Sequence, residues 1–418
     1  MSPAHLFCQL PLLSLEPNYC SEPNYINSSK ENKFLLPKVN ISQKIYEKIK
    51  LNFNKQTNLN TKDKEIITKV IISYEDLKIK NHLKEDQFVL ADHEIHEFLN
   101  LEDKNIIRYV LYRYKYNMYP KLKILDDYPP NIQIEPTSVC NLRCVMCYQK
   151  DTTFSSKSQG FMGYMKFDLL KKVVDEIEGK IEAVTFASRG EPTLHPELDK
   201  FLRYCEGKFL GLKLNTNATL LNEKKINSLL SSDLQSLVLS IDEKDKENYE
   251  KIRVNANFDK IMRNLELLKN IREKNYKNSK LRIRISGVKI NSDQDAEEMN
   301  KFYNEFADEI ALVNYDPWES AYDNPENDIK DACSELFRRI FVWWDGKINP
   351  CDYDYKSKLS KWNANSTTIK DILKSLTALI SFTIRKTFLI SLQSQLVFWE
   401  FFNLQLFHFN QAHQILIY

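Results

Sequence analysis

Short apolar runs recur at 131–136 (NIQIEP), 181–187 (IEAVTFA), 210–215 (LGLKLN), 234–241 (LQSLVLSI), 281–290 (LRIRISGVKI) and 309–315 (EIALVNY), and each predicts a buried strand. Amphipathic stretches at about 166–178, 196–206, 222–231, 257–274 and 294–306 separate them and predict helices. The rhythm is βα repeated. Strand–crossover–strand units of this kind build parallel sheets of one hand, so the six strands predict an α/β fold, an open or partial (β/α)6 barrel. Residues with chemistry are then expected just after strands, at their C-terminal ends.

Before this stretch, residues 1–125 are rich in Asn, Lys and Ile, with helix-like stretches at 41–50, 62–84 and 102–119 and no strand alternation. They predict a mainly helical N-terminal extension. The segment LDDYPPNI at 125–132 contains a Pro pair that cannot continue a helix, which places a boundary there and the barrel core at 126–318. A further extension is expected over 319–374. From Ser375 to Tyr418 only Arg385, Lys386 and Glu400 are charged, whereas the whole chain is 28% charged. This abrupt change suggests that 375–418 is an atypical tail, produced by a frameshift that replaced a normal ending.

With 418 residues, 43% of them hydrophobic, the chain is long enough for a substantial core. The 59 basic and 57 acidic side chains nearly cancel, so no global field points toward nucleic acid or an anionic membrane. Prolines at 3, 11 and 17 interrupt the N-terminal apolar stretch, which has no basic leader, and nowhere do 18 apolar residues run together. Neither secretion nor a membrane span is expected. Eight unevenly spaced cysteines, three of them within one eight-residue stretch, argue for metal or redox use in a reducing, cytoplasmic setting.

Those three are Cys140, Cys144 and Cys147, in the loop after the first predicted strand. They offer soft thiolates to one small inorganic centre. Three thiolates leave one corner of a four-iron cube open to another ligand, whereas three thiolates and a histidine such as His195 would close a tetrahedral zinc shell. The loop after the second strand, Ser188-Arg189-Gly190-Glu191-Pro192, has a glycine that permits close backbone approach and leaves amides for an amino-acid ligand. Zinc needs no such loop.

On these residues the chain resembles the radical S-adenosylmethionine superfamily, whose hallmark is a Cys-x3-Cys-x2-Cys loop after the first barrel strand; the likeness covers roughly 131–315. The resemblance implies a 4Fe-4S cluster on the three cysteines and S-adenosylmethionine as the second cofactor. It implies cleavage to a 5′-deoxyadenosyl radical, hydrogen abstraction from a substrate, and a reductant such as flavodoxin or ferredoxin. The family's Gly-Gly-Glu-Pro segment, which contacts the methionine amino group, is represented by Arg189-Gly190-Glu191-Pro192, with arginine in place of the first glycine. Asn215-Thr216-Asn217 resembles the polar end of the third strand, and Ser240-Ile241-Asp242 a segment placed near the ribose. Met146 occupies a position near the adenine. No catalytic acid or base is singled out.

Downstream, Cys333 precedes Trp343-Trp344-Asp345-Gly346-Lys347-Ile348-Asn349-Pro350-Cys351, where Asp-Gly predicts a hairpin turn. This resembles the start of a SPASM or twitch extension, in which Cys and Gly-x4-Cys supply two ligands of an auxiliary iron-sulfur cluster. It points by analogy to a peptide or protein substrate. No cysteine follows Cys351, and Cys8, Cys20 and Cys205 do not match the remaining positions, so two thiolates leave that site unfinished. The alternatives are a structural or interaction protein holding zinc or a cluster, and an inactive truncated relative. His93-Glu94-Ile95-His96 has its second histidine at i+3 instead of the i+4 of a zinc protease and reads as a solvated helix face. Arg108 to Tyr116 mixes bases with aromatics and reads as a helix docked on the barrel. No P-loop or Rossmann fingerprint occurs.

Overall fold

The computed structural model describes residues 38–80, 84–315, 322 and 333–375. The tail from 376 onward, Cys8 and Cys20 lie outside them. Six strands run in chain order, β1 (Asn131–Ile134), β2 (Ala183–Phe186), β3 (Gly211–Thr216), β4 (Ser236–Ser240), β5 (Arg282–Lys289) and β6 (Glu309–Asn314), and every neighbouring pair is parallel. Five lie within the predicted runs, and β3 extends one residue beyond its run, to Thr216. Between them stand α6 (Phe167–Ile177), α7 (Leu198–Tyr204), α8 (Glu223–Leu230), α10 (Phe258–Asn275) and α11 (Ala296–Tyr303), with α5 (Thr152–Ser155) and α9 (Lys246–Ile252) as short additions the pattern did not predict. Side chains of Asn222, Asn257 and Asp295 cap α8, α10 and α11 by accepting from backbone N–H groups of the first turn.

Alternation along the strands sorts the side chains. On β3 and β5, Leu212, Leu214, Ile283 and Ile285 are buried in the main core with Leu229 of α8 and Leu265 and Leu268 of α10. The intervening residues face the concave side and keep partial exposure.

The region after 333 extends the same sheet. α12 (Glu335–Arg338) leads into β7 (Arg339–Val342), which pairs parallel with β1. β8 (Lys347–Asn349) returns antiparallel across Asp345-Gly346, and β9 (Trp362–Asn363) follows it. The predicted hairpin is present, with Gly346 at φ +86°, a conformation glycine adopts without steric cost. Sheet order is therefore β6-β5-β4-β3-β2-β1-β7-β8-β9.

Helices α1 (Lys38–Lys55), α2 (Thr61–Lys80), α3 (Asp92–Leu99) and α4 (Ile106–Leu122) pack a second apolar cluster that includes Phe337. Docking of α4 at the N-terminal ends of the strands is direct: Arg108 forks onto Glu182 just before β2 (Nε–Oε1 2.9 Å, Nη2–Oε2 2.6 Å), and Arg338 donates to the Tyr116 carbonyl. The solvated-face reading of His93–His96 needs correction at Glu94, which is 1% exposed. Its carboxylate accepts from the Ala91 N–H and the Asn117 amide and faces Arg113, so it is a buried cap of α3.

Candidate functional site

The strands' C-terminal ends gather the residues expected there. β1 runs into Glu135 and then the cysteine loop, whose path is fixed from three sides. The Arg143 and Val145 N–H groups donate to the carbonyls of Val254 and Ile252, and Asn141 links Thr219 and Asn217 beyond β3. Gln149, 1% exposed, donates to the carbonyls of Ser138 and Arg189. An ideal Cβ on Gly190 would stand 2.3 Å from the Thr137 carbonyl, so only glycine lets the β2 loop lie against the cysteine loop.

The three thiols are neighbours in no disulfide. Backbone N–H groups of Leu142 and Gln149 point at the sulfurs of Cys140 and Cys147 (3.4 and 3.5 Å), and Arg253 Nη1 lies 3.9 Å from Cys144 Sγ. Burial, reinforced by nearby Glu191, pushes the Cys140 thiol up to about 12. Burial also raises Cys144, against the pull of Arg253, and Cys147. Soft donors, amide donors aimed at sulfur, and one buried cation fit a thiolate-bound iron-sulfur centre. Among the described residues no three His, Cys, Asp or Glu side chains converge on a point the size of one metal ion. His195 is also committed elsewhere: its ring shares hydrogen bonds with the Met165 carbonyl (2.9 Å) and the Glu197 N–H (3.1 Å), and burial lowers its pKa.

Glu191 is 3% exposed and accepts from the Thr193 N–H, the hydroxyls of Thr193 and Thr216, and the Asn217 N–H. It clamps the β2 loop onto β3. Asp242, fully buried, binds both Arg253 Nε and Nη2 (2.5 and 2.9 Å) and the Val288 N–H, and so aims the guanidinium that meets Cys144. Met146 is half-buried between the second and third cysteines, and Ser240 lies opposite Ser286 at the end of β4. Asn215 Oδ1, Ser188 Oγ and Gln149 Oε1 are buried with no hydrogen-bond partner among the described residues. Ser188 also holds φ at +136°, a strained value for a residue with a side chain. Unsatisfied polar atoms of this kind mark where a polar ligand completes a site.

The arginine in place of the family's first glycine has a structural role. Arg189, 3% exposed, forks onto the fully buried Glu135 (Nε–Oε2 2.7 Å, Nη2–Oε1 2.5 Å), donates to the Tyr355 carbonyl and stacks over Trp343 at 4.3 Å. The extension after 333 is thereby fastened to the barrel. Cys333 and Cys351 gain no third ligand among the described residues, and a second cluster is not supported. Sequence reasoning missed Arg253, Asn141, Gln149 and Glu135. Glu135 carried a signal, a charge directly after an apolar strand; Arg253 sits after a helix too short for periodicity to show.

A thiol loop after the first of six parallel strands is the arrangement that the resemblance to the radical S-adenosylmethionine superfamily implies. Residues 134–303 match the Radical SAM superfamily model, and a match to that model implies a 4Fe-4S cluster and S-adenosylmethionine. It is similar to the tungsten-containing aldehyde ferredoxin oxidoreductase cofactor-modifying protein of Pyrococcus furiosus, with 30% identity over 27% of this chain and 30% of that one. It is also similar to the AdoMet-dependent heme synthase of Methanosarcina barkeri, with 29% identity over 35% of this chain and 40% of that one. The chain thus spans less than half the length of these two relatives. Among solved structures, Streptococcus suis SuiB bound to precursor peptide SuiA aligns with 74% of this chain and 78% of that one at 15% identity and a TM-score of 0.44. No helix among the described residues is long and apolar enough to cross a membrane.

Proposed function

We propose that the chain is a radical S-adenosylmethionine enzyme whose Cys140, Cys144 and Cys147 hold a 4Fe-4S cluster with one open iron. The observation that carries this is the set of three neighbouring thiols, met by amide donors and Arg253 and surrounded by buried polar atoms that lack partners. When bound, the group supplies the electron that cleaves the carbon–sulfur bond of S-adenosylmethionine, giving a 5′-deoxyadenosyl radical for hydrogen abstraction. Arg253 offsets thiolate charge at Cys144, and Asp242 holds that guanidinium in place. Gly190 and Glu191 keep the β2 loop against the cysteine loop, leaving Ser188 Oγ and Asn215 Oδ1 to meet the ligand. Ser240 and Met146 serve as further contacts to the nucleoside. The electron comes from an external donor such as flavodoxin or ferredoxin, and the unpaired thiols suit a reducing, cytoplasmic setting.

Anaerobic reconstitution tests the reading. Brown protein, a paramagnetic signal after reduction, and 5′-deoxyadenosine formed from S-adenosylmethionine are expected. Cys144→Ala is expected to keep the fold and lose the visible absorbance. Colourless protein that retains zinc would overturn the proposal.

A further inference from the structure

The concave face of the barrel, below the cysteine loop, carries an excess of positive charge that the reading so far does not use. Lys213 on β3 and Arg282 and Arg284 on β5 alternate with core residues and therefore point inward. Across the sheet Lys213 lies between Thr185 of β2 and Ser236 of β4, so no acidic neighbour flanks it. Arg282 and Arg284 share one carboxylate, Glu309 of β6, at 3.5 and 3.8 Å. Among the described residues Lys213 makes no hydrogen bond or ion pair. The Glu309 attraction reaches it only weakly, while burial and repulsion from Arg284 and Arg339 lower its pKa to about 8. Arg339 itself pairs with Glu335, and Asp352 beside it is raised by burial to about 6.

A packed barrel would bury such side chains with counter-charges. Here Arg282, Arg284 and Glu309 remain 33, 17 and 18% exposed, so this face stays in contact with solvent. An ammonium buried without a counter-charge costs stability, and that cost is offset when an anion enters. Val238 and Phe341, buried on the same side of β4 and β7, add apolar surface.

We infer that this interior binds the substrate through an anionic group, a carboxylate or a phosphate, held by Lys213 together with Arg284. The inference rests on the radical-enzyme reading and narrows its substrate class. Lys213 and Arg284 carry only donors, so an anion gains charge-assisted hydrogen bonds that are stronger than those a neutral acceptor would make and that a cation cannot make.

The test uses the full chain after anaerobic reconstitution, titrated calorimetrically at low salt with inorganic phosphate and, separately, with succinate. Saturable binding of one of the two is expected, and which one distinguishes phosphate from carboxylate. Lys213→Gln and Arg284→Gln should each weaken it about tenfold, the scale of one charge-assisted hydrogen bond. Lys213→Arg should keep it, and Lys208→Gln, a surface change, should leave it unaltered. Failure of both anions to bind, or wild-type binding by Lys213→Gln, overturns the inference. Cluster absorbance of the same samples separates the two readings. Brown protein without Lys213-dependent binding sinks the anion site alone, whereas colourless protein that binds through Lys213 sinks the radical chemistry and leaves the anion site standing.

Discussion

Replacing Glu135 by glutamine should loosen the whole C-terminal extension, because its carboxylate holds both the Trp344 N–H and Arg189, which fastens that extension. The carboxylate accepts four donors: the backbone N–H and Nε of Arg189 at Oε2, and Arg189 Nη2 and the Trp344 N–H at Oε1. A glutamine amide has one acceptor oxygen, so whichever way it turns its NH2 faces two of those donors. Arg189, 3% exposed, is left as an uncompensated charge, and removing one partner of a buried pair costs about 3–5 kcal/mol. Urea unfolding followed by tryptophan emission is the assay, because Trp343 lies under the guanidinium and Trp344 donates to the lost oxygen. Limited proteolysis should then cut first between 333 and 375. A double variant, Glu135→Leu with Arg189→Met, should recover much of the loss, since apolar isosteres of a buried pair are often tolerated. A cost below about 1 kcal/mol for Glu135→Gln, or a double variant weaker than both singles, would refute the reasoning.

Three further outcomes follow from the same geometry. Gly190→Ala places a methyl group 2.3 Å from the Thr137 carbonyl and should lower the urea midpoint by the equivalent of about 1–3 kcal/mol, with reduced iron uptake per chain. Arg253→Gln leaves Asp242, fully buried, without its ion partner; about 3 kcal/mol of stability should be lost, and the reduced-cluster paramagnetic spectrum should shift because the cation nearest Cys144 is gone. Lys213→Met should stabilise the chain at pH 7. The native ammonium sheds its proton near pH 8 whereas the unfolded one holds it to about 10.5, so wild-type stability climbs between those values. Partial exposure of Lys213 screens part of this, leaving about 1–2 kcal/mol. Urea midpoints at pH 7 and pH 10 should converge for the variant relative to wild type, and parallel curves would count against the buried-charge account.

What could be read in advance divides along a physical line. The six strands and the five longer helices between them were legible because each buries an apolar face, and the apolar pattern reports burial. The place of the cysteine loop was legible because it directly follows the first apolar run. What escaped was of two kinds. β7 pairs with β1 from across two hundred residues, and nothing local in RIFV says which edge it will join. The polar supports, Arg253 on Asp242, Arg189 on Glu135 and Asn141 on Asn217, are contacts between residues far apart in the chain, and each residue alone is an ordinary surface type.

Arg189 shows how such a residue becomes interpretable once its partner is known. The resembling family has glycine at that position, and the sequence alone assigns the arginine no role. With Glu135, Tyr355 and Trp343 around it, the same side chain is the fastening between barrel and extension. The neighbouring Gly190 retains the close approach that the loop requires, so the arginine leaves that contact intact. A bulky charged residue can stand beside a ligand loop when a buried carboxylate turns it outward from the ligand and into the fold. The glycine whose Cβ would strike backbone is the one that cannot change, and Gly190 and Arg189 therefore should respond oppositely to substitution. Alanine at 190 should impair iron uptake directly, whereas methionine at 189, offered together with leucine at 135, should spare it. Equal iron loss in both would mean that the pair shapes the loop itself, and the division of roles drawn here would fall.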